Sequence, residues 1–525
     1  MRLSFHSAKQ AAARERKQRK SMVYFSEPSS PIPMRRMGEK GMEMSERLQA
    51  LAQEKAAILQ GDAERIAKQH ADGKCTARER AAKLFDAGSF VETDALRRDG
   101  NVVTGCGTVN GQAVYCFAQD YASSGGAMTK AQAEKVLKTL RMARLTGAPV
   151  VALLDSAGVK LSEGMEALPA YAEILGAMAR LSGVCPLITC VMGPCRGLAA
   201  MMTQLSDLNI QVQKTGELAL HTAQVMNGEK GREKTAQQLF GADAMASQGA
   251  AALTAGNEEE AASMIAALID LLPGCNMEDA PLAESEDLNR LMVCDDPEDA
   301  SALMQDLADG GQLIELYKGY GPAVHTALCR VGGRTVGLVA NDHTVDGGRL
   351  TSQDSRKAAR FVRLCDCYQI PVISLVNTDG LAVPLASHQG ALLRGVADLL
   401  YAYAEATAPK IAVMTGSAVG AAYVAMGGRS IADVSYAWPT AMIAPLTREA
   451  AVQTLNGDRL NAGESREALE DGYAAAFGAL AAAKAGVVDD VIEPRETRKY
   501  IIAALELLSS KHDVNLPRKH GNLPL

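Results

Sequence analysis

VNGQAVYCFAQDYASSGGAMTKAQAEKVLKTLRMARLTGAPVVALLDSAG, residues 109–158, is answered by VGGRTVGLVANDHTVDGGRLTSQDSRKAARFVRLCDCYQIPVISLVNTDG, residues 331–380. A shift of 222 positions lays Val109, Gly111, Val114, Ala118 and Asp120 on Val331, Gly333, Val336, Ala340 and Asp342. The same shift lays Gly125, Gly126, Thr129, Lys135 and Arg141 on Gly347, Gly348, Thr351, Lys357 and Arg363. Pro149, Val150, Leu153 and Gly158 fall on Pro371, Val372, Leu375 and Gly380, making 14 identities. Chance at average residue usage would give about three or four. With one inserted residue the match resumes: Pro186, Ile188, Gly197 and Ala199 fall on Pro409, Ile411, Gly420 and Ala422. At that same shift Asp86, Gly88 and Glu92 fall on Asp309, Gly311 and Glu315.

A period this long is too large for a solenoid repeat and fits a duplicated domain. Each copy reads as a Gly-punctuated strand pair, a Gly-Gly turn, an amphipathic helix and a buried apolar strand (PVVALLDS; PVISLVNT). A second helix and a second strand follow (PLITCVMG; KIAVMTG), then a Gly turn into another helix. Buried apolar strands alternating with helices predict an α/β fold with largely parallel pairing. The acidic, turn-rich stretch PGCNMEDAPLAESEDLNRLMVCDDPEDA (273–300) separates the copies, giving domains over 45–285 and 286–525. Residues 1–40 carry ten Lys/Arg against three acids and three prolines, with no apolar core for a secretory signal. Residues 1–44 are expected to be a disordered extension or a start assigned from too early a Met. The helical pattern after Met44 has Ser45 as its expected N-cap.

Of 525 residues, 47% are hydrophobic and 22% charged, an ordinary globular balance. No apolar run approaches the roughly 20 residues of a membrane helix. The net charge of −7 and a 4% aromatic content with one Trp argue against nucleic-acid binding. Eleven scattered cysteines without metal-ligand spacing read as reduced thiols of a cytoplasmic protein, and no bound metal is expected.

Two turns per copy can carry chemistry, because open α/β sheets bind ligands at the carboxyl ends of their strands. The first is Asp155-Ser156-Ala157-Gly158-Val159-Lys160 and its equivalent Asn377-Thr378-Asp379-Gly380-Leu381. The second is Gly193-Pro194-Cys195-Arg196-Gly197-Leu198-Ala199-Ala200 and its equivalent Gly416-Ser417-Ala418-Val419-Gly420-Ala421-Ala422. A strand–Gly–helix junction presents free N–H groups and the positive end of a helix dipole, which suits an anion or an enolate oxygen. The same glycines would also serve close helix–strand packing. Nucleophile elbows, Walker loops and H-E-x-x-H are missing. His221 reads as a core or capping residue. His343 and His388 lie near the loops without an evident partner, and the acidic run from Glu258 to Glu260 reads as a solvated helix end.

KQHADGKCTARERAAKLFDAGSFVE (68–92), KAARFVRLCDCYQIPVISLV (357–376), SYAWPTAMIA (435–444), VVDDVIEPRETRKYI (487–501) and the tail RKHGNLPL (518–525) resemble biotin-dependent acyl-CoA carboxyltransferases. That family comprises the carboxyltransferase subunits of propionyl-CoA and acetyl-CoA carboxylases and of methylmalonyl-CoA and glutaconyl-CoA decarboxylases. The resemblance implies a tandem duplication of a crotonase-like (ClpP/crotonase) domain, in agreement with the repeat. It also implies that the first copy binds a short acyl-CoA and the second binds biotin borne on a separate carrier protein. Carboxybiotin would release CO2, the biotin enolate would take the α-proton of the thioester, and the acyl enolate would attack CO2. No side-chain base is then needed.

Backbone groups of Gly197 and Leu198 and of Gly420, Ala421 and Ala422 would stabilise the two enolates. Gly158, Val159, Lys160 and Arg196 would bind substrate, and Gly380, Leu381, Tyr423 and Val424 would line the biotin side, with Val424 at a position tied to acyl-chain choice. Expected partners are a biotin carboxyl carrier protein, a biotin carboxylase or membrane decarboxylase subunits, and further copies in a dimer-based oligomer of up to six. A decarboxylase complex would bring the chain to a membrane. The pocket motifs depart from the family pattern: D-S-G-G-A-R is Asp155–Lys160 here, G-P-C-A-G-G-A has Arg196 and Leu198, and D-V-P-G-F is Asn377–Leu381. Leu198 is expected to crowd its turn. These departures suggest either a divergent substrate or a non-catalytic subunit paired with an active paralogue. A different crotonase-type reaction on a CoA thioester, the remaining alternative, would need a positioned Glu or His.

Overall fold

The computed structural model describes residues 44–97, 101–230 and 233–522. The extension expected over residues 1–44 lies outside them, apart from Met44. The chain divides into a short N-terminal unit, described over 44–54, and a compact body from Lys55 onward. Helix α1 is described over Met44–Gln60, so Ser45 lies within it and is not its N-cap.

In the body, helices α2 (Ala63–Ala71) and α3 (Ala77–Leu84) precede the first sheet. Helix α3 starts at a capping box read directly from T-A-R-E: the Thr76 hydroxyl accepts from Glu79 N–H and the Glu79 carboxylate accepts from Thr76 N–H. Strands β1 (Val91–Thr93), β2 (Val102–Val109) and β3 (Gln112–Gln119) pair antiparallel. Then come α4 (Lys130–Thr146), β4 (Val150–Ser156), α5 (Ala167–Leu181), β5 (Leu187–Arg196), α6 (Leu198–Leu205), β6 (Leu208–Val212) and β7 (Glu217–Ala219). Helices α7 (Ala223–Lys230), α8 (Ala236–Phe240) and α9 (Ala242–Ala246), strand β8 (Leu253–Ala255) and helix α10 (Glu258–Leu271) complete the first copy. The sheet order is β1-β2-β3-β4-β5-β6-β8, with β7 added to β5. From β3 onward all pairings are parallel.

The second copy repeats this. Helix α11 (Ala300–Leu307) leads to β9 (Leu313–Leu316), β10 (Val324–Val331), β11 (Arg334–Asn341), α12 (Ser352–Cys367), β12 (Val372–Thr378), α13 (Gln389–Glu405), β13 (Lys410–Val419), α14 (Gly420–Ala425), β14 (Val434–Ala437) and β15 (Met442–Ala444). Helices α15 (Arg448–Leu455), α16 (Gly457–Asn461), α17 (Arg466–Ala476) and α18 (Ala479–Lys484), strand β16 (Asp490–Val491) and helix α19 (Thr497–Leu507) close it. Its order is β16-β14-β13-β12-β11-β10-β9, with β15 on β13. Strands β4 and β12 are buried along their whole length, as helix-covered parallel strands must be. One apolar core runs between the copies, uniting Ile265 and Leu268 of α10 with Leu316, Val324 and Phe361.

The repeated identities mark backbone necessities. The hairpin Asn110-Gly111 has φ of 51° and 78°, and Gly332-Gly333 has 61° and 76°, the two-residue loop that suits strand twist. Asp86 accepts from both hairpin N–H groups in the first copy, at 3.0 and 2.9 Å, and Asp309 does so in the second, at 3.0 and 2.7 Å. Thr129 and Thr351 cap α4 and α12. The buried Lys135 and Lys357 donate to Val102 O and Gly321 O at 2.6 and 3.3 Å. Burial lowers both ammonium pKa values, that of Lys357 to about 8.

Candidate active site

The first turn of each copy is fixed by its own hydroxyl and by the Gly-Gly turn beside it. Ser156 Oγ accepts from Gly158 N–H at 3.0 Å and donates to Gly126 O at 2.7 Å. Thr378 Oγ1 accepts from Gly380 N–H at 3.1 Å. Gly158 and Gly380 have φ of 108° and 111°, which only glycine adopts freely. Val159 and Leu381 bridge in parallel to Met128 and Leu350. Lys160 N–H donates to Met128 O at 3.2 Å. A Cβ on Gly126 would lie 2.1 Å from Asp155 O, and one on Gly348 2.3 Å from Asn377 O, so the second glycine of each turn leaves no room for a side chain.

The second turn is shorter than expected. Strand β5 stays paired through Arg196 because β7 runs beside residues 194–196, and β13 stays paired through Val419 because β15 runs beside 417–419. Each junction therefore reduces to one glycine, Gly197 with φ 61° and Gly420 with φ 57°. Both sheets break register at equivalent places, between Leu154 and Ser156 and between Val376 and Thr378, which re-aims the strand ends. The two turns then meet: a Cβ on Gly158 would be 3.3 Å from Arg196 O, and one on Gly380 would be 3.7 Å from Val419 O. The structure thus brings Gly158, Val159, Lys160, Arg196, Gly197 and Leu198 together in the first copy. It brings Gly380, Leu381, Gly420, Ala421, Ala422, Tyr423 and Val424 together in the second.

The N–H groups differ from the simple expectation. Gly197 N–H is not free, because it donates to Ala219 O at 2.9 Å. The open donors are those of Leu198 and its neighbour in the first turn of α6, which have no intrahelical acceptor. The Leu198 side chain is partly buried and packs against the first-copy core. Arg196 pairs with Glu217. In the second copy Ala421 and Val424 are exposed, Ala422 is buried, and Tyr423 packs half-buried on the inter-copy core, where burial raises its phenol pKa.

Beneath the first turn lies an ionic cluster that sequence reading misses. Asp155 is fully buried and accepts from Arg80 Nη2 at 2.8 Å, Gln69 Nε2 at 2.9 Å and Lys74 Nζ at 3.3 Å. Arg80, equally buried, also reaches Glu258 at 2.6 Å, while Cys75 N–H donates to Glu258 at 3.1 Å. Burial opposes the Arg80 charge, but Asp155 and Glu258 outweigh it and raise its pKa. Glu258 is buried rather than a solvated helix end. The only signal was the 68–92 signature itself: Gln69, Lys74 and Arg80 sit on a helix, a loop and a second helix, so no periodicity links them. In the second copy Asn377 replaces Asp155, accepting from Ser417 N–H at 2.8 Å and donating to Pro297 O at 2.7 Å. Gly193 and Gly416 make room for these residues, since a Cβ would come within 2.0 Å of Asp155 Oδ1 or 2.4 Å of Asn377 Oδ1.

The histidines are also placed. His343 has carboxylate neighbours after all, Glu298 at 3.5 Å and Asp379 at 3.6 Å. His221 is exposed, not a core residue, and lines a cavity beside α6. All eleven cysteines are unpaired thiols. Among the described residues no group of His, Cys, Asp and Glu could hold a metal ion, and no helix is long and apolar enough to cross a membrane.

The carboxyl transferase domain model matches residues 68–523. The alpha subunit of methylmalonyl-CoA decarboxylase from Veillonella parvula is 37% identical over 92% of this chain and 99% of its own length. The 12S subunit of methylmalonyl-CoA carboxyltransferase from Propionibacterium freudenreichii subsp. shermanii is 36% identical over 92% of this chain and 98% of its own. A crystal structure of transcarboxylase 12S, described as a hexamer assembly with methylmalonyl-coenzyme A and methylmalonic acid bound, superimposes with a TM-score of 0.88 at 35% identity. It covers 92% of this chain and 100% of that one. Family model, full-length relatives and duplicated fold agree: the chain belongs to the carboxyl transferase family, the carboxyltransferases of biotin-dependent acyl-CoA carboxylases and decarboxylases.

Proposed function

We propose that the paired turns of the two copies form the two halves of one carboxyl-transfer site. The chain is the carboxyltransferase component of a biotin-dependent acyl-CoA carboxylase or decarboxylase and moves a carboxyl group to or from the α-carbon of a short acyl-CoA. The observation that carries the site assignment is the matched geometry of Gly158 against Arg196–Gly197 and of Gly380 against Val419–Gly420.

In the first copy, Gly158, Val159, Lys160 and Arg196 frame the thioester. Gly197 turns the chain, and the N–H groups it leaves open, Leu198 foremost, face the developing enolate oxygen. In the second copy, the N–H groups of Gly420, Ala421 and Ala422 serve a second oxyanion, while Leu381, Tyr423 and Val424 form an uncharged wall. That wall fits the neutral ureido ring of biotin carried on a separate protein, which supplies CO2 when bound in its carboxylated form. Backbone donors would stabilise the two oxyanions and the decarboxylated biotin would take up the α-proton, so no side-chain base is required.

Leu161 and Met165 after the first turn, and Val383 and Leu385 after its counterpart, are at least 72% exposed. Apolar residues at equivalent places on both copies support the first copy of one chain covering the second copy of another, in a dimer-based oligomer of up to six. A biotin carboxyl carrier protein and a biotin carboxylase or membrane decarboxylase subunits complete the complex, and nucleic acid has no part in it. The unpaired thiols support a cytoplasmic setting, with a decarboxylase complex as the route to a membrane.

The test is carboxyl transfer from methylmalonyl-CoA or malonyl-CoA to free biotin by the full chain. Transfer is expected without any partner. Gly420→Pro should abolish it by imposing φ near −65° where the turn needs 57°. A well-folded oligomer that neither transfers nor binds CoA would favour the non-catalytic subunit instead.

A further inference from the structure

A cavity of about 540 Å³ opens between the two copies, at the end of the first sheet remote from the turns. Asp207 N–H donates to Leu187 O at 2.9 Å, and Leu187 N–H donates to the Asp207 carboxylate at 2.8 Å. These bonds fix the cavity at the amino ends of β5 and β6. The Gly197 turn lies beyond the other end of the ten-residue β5, about 30 Å away at roughly 3.3 Å per residue. The cavity is therefore separate from the paired turns.

Its second-copy wall is a row of guanidinium groups. Arg356, Arg360 and Arg363 are spaced four and three apart on α12 and share one helix face. Two carboxylates, Asp207 and Asp398, also line the cavity, and neither neutralises the centre of the row. Asp207 Oδ2 already accepts from Leu187 N–H and from the Tyr368 hydroxyl. Asp398 stands 3.7 Å from Arg356, beyond hydrogen-bond reach. Arg363 pairs with Glu405 at 3.1 Å, outside the cavity wall. Arg360 is held only by neutral oxygens: its Nε donates to the Tyr317 hydroxyl and its Nη2 to Ser206 O, both at 2.9 Å. Among the described residues no carboxylate pairs with it, and its Nη1 has no protein acceptor.

We propose that this cavity binds a small anion carrying two or more phosphate groups, which bridges the two copies. A planar guanidinium fork matches phosphate oxygens, and Arg360 is fixed in place with its charge unmatched. Arg356 and Arg360 are separated by about 6 Å of helix rise, so linked phosphates engage both forks where a single phosphate engages one. The volume is that of a small-molecule pocket. From the first copy, Ser182 brings a hydroxyl to the opposite wall. Asp207 is the group that opposes an anion there.

The test is titration calorimetry of the full chain with inorganic pyrophosphate and, separately, orthophosphate, in a buffer free of both. One pyrophosphate should bind per chain, about tenfold or more tighter than orthophosphate. Arg360→Gln should weaken pyrophosphate about tenfold or more, the loss expected for a charged hydrogen bond. Arg356 donates no hydrogen bond within the chain, so Arg356→Gln leaves the fold intact and should also weaken binding should Arg360→Gln fail to fold. Asp207→Asn should tighten it. Absence of binding, or binding that neither arginine variant weakens, overturns the proposal. Competitive displacement by acetyl-CoA also overturns it, by assigning the anion to the thioester site. An Arg356→Gln protein that changes its oligomeric state shows that the arginine row holds a second copy, which overturns it as well.

Discussion

Replacing Asp155 by Asn changes one oxygen to nitrogen at the centre of the buried cluster, and the second copy already carries Asn at that position as Asn377. The environments differ in charge. Asn377 meets a backbone N–H and a carbonyl, whereas Asp155 faces Arg80, Lys74 and Gln69. In Asp155→Asn, Glu258 is the only carboxylate left to Arg80. Lys74, 7% exposed, keeps only the Tyr121 ring at 4.4 Å. Removing one partner of a buried ion pair costs about 3–5 kcal/mol, since the remaining charges stay desolvated. Chemical unfolding followed by circular dichroism should show a loss of that size. Amide exchange should rise over residues 125–130 and 155–160, where Asp155 and the Gly-Gly turn interlock. Trp438, the single Trp, is buried in the second copy, so its fluorescence follows the part that should be less affected. Arg80→Met combined with Asp155→Asn should recover part of the loss, with a coupling of roughly 1–3 kcal/mol. A loss under about 1 kcal/mol, or strict additivity of the pair, would refute the claim that this cluster anchors the substrate turn.

Gly158→Val places a β-branched residue at φ 108° with its Cβ 3.3 Å from Arg196 O, so transfer should fall at least about 100-fold with CoA binding impaired. Gly380→Val should cut transfer similarly but raise the KM for free biotin and spare CoA affinity, and steady-state kinetics with each substrate varied separates the two. Asp207, between the copies, accepts from Leu187 N–H and the Tyr368 hydroxyl at 2.8 and 2.7 Å, and burial raises its pKa to about 6. A carboxyl that holds its proton more tightly when folded makes stability fall as pH rises from about 4 to about 6. Asp207→Asn should therefore be more stable than the parent at pH 7, by up to roughly 3 kcal/mol, with the advantage gone near pH 4. A pH-independent difference between the two unfolding curves would contradict that assignment.

What the sequence shows clearly is whatever depends on local rules. The strand–helix alternation, the Gly-punctuated strand pairs and the Gly-Gly turns all follow from residue type and spacing, and duplication doubles each signal. Side-chain destinations depend on tertiary contacts that no local rule encodes. That Leu198 packs on the core beneath α6 is not legible from its size alone. The run Glu258–Glu260 reads as solvated, yet the first of the three faces Arg80. Local sequence presents Gly197 as a free donor because nothing nearby shows that β7 returns to take its N–H at Ala219.

The contrast between Asp155 and Asn377 bears on how one fold serves two substrates. Both residues end the first buried strand, both fill the space left by a glycine on the neighbouring strand, and both hold the same backbone trace. Only the first copy invests buried charge there. A neutral amide suffices to hold the turn, as Asn377 demonstrates, so charge is not required by the geometry itself. What the ionic cluster adds is linkage to the segment 69–80, which ties the helices ahead of the first sheet to the acyl-CoA side of the proposed site. If that linkage is its purpose, Lys74→Met should loosen the 69–80 segment in amide exchange and weaken CoA binding about tenfold or less, since Arg80 remains to hold Asp155. Transfer at saturating thioester should then stay near the parent rate. An unchanged CoA affinity alongside a loosened segment would confine the cluster to stability, separating the anchoring of the turn from the shaping of its substrate face.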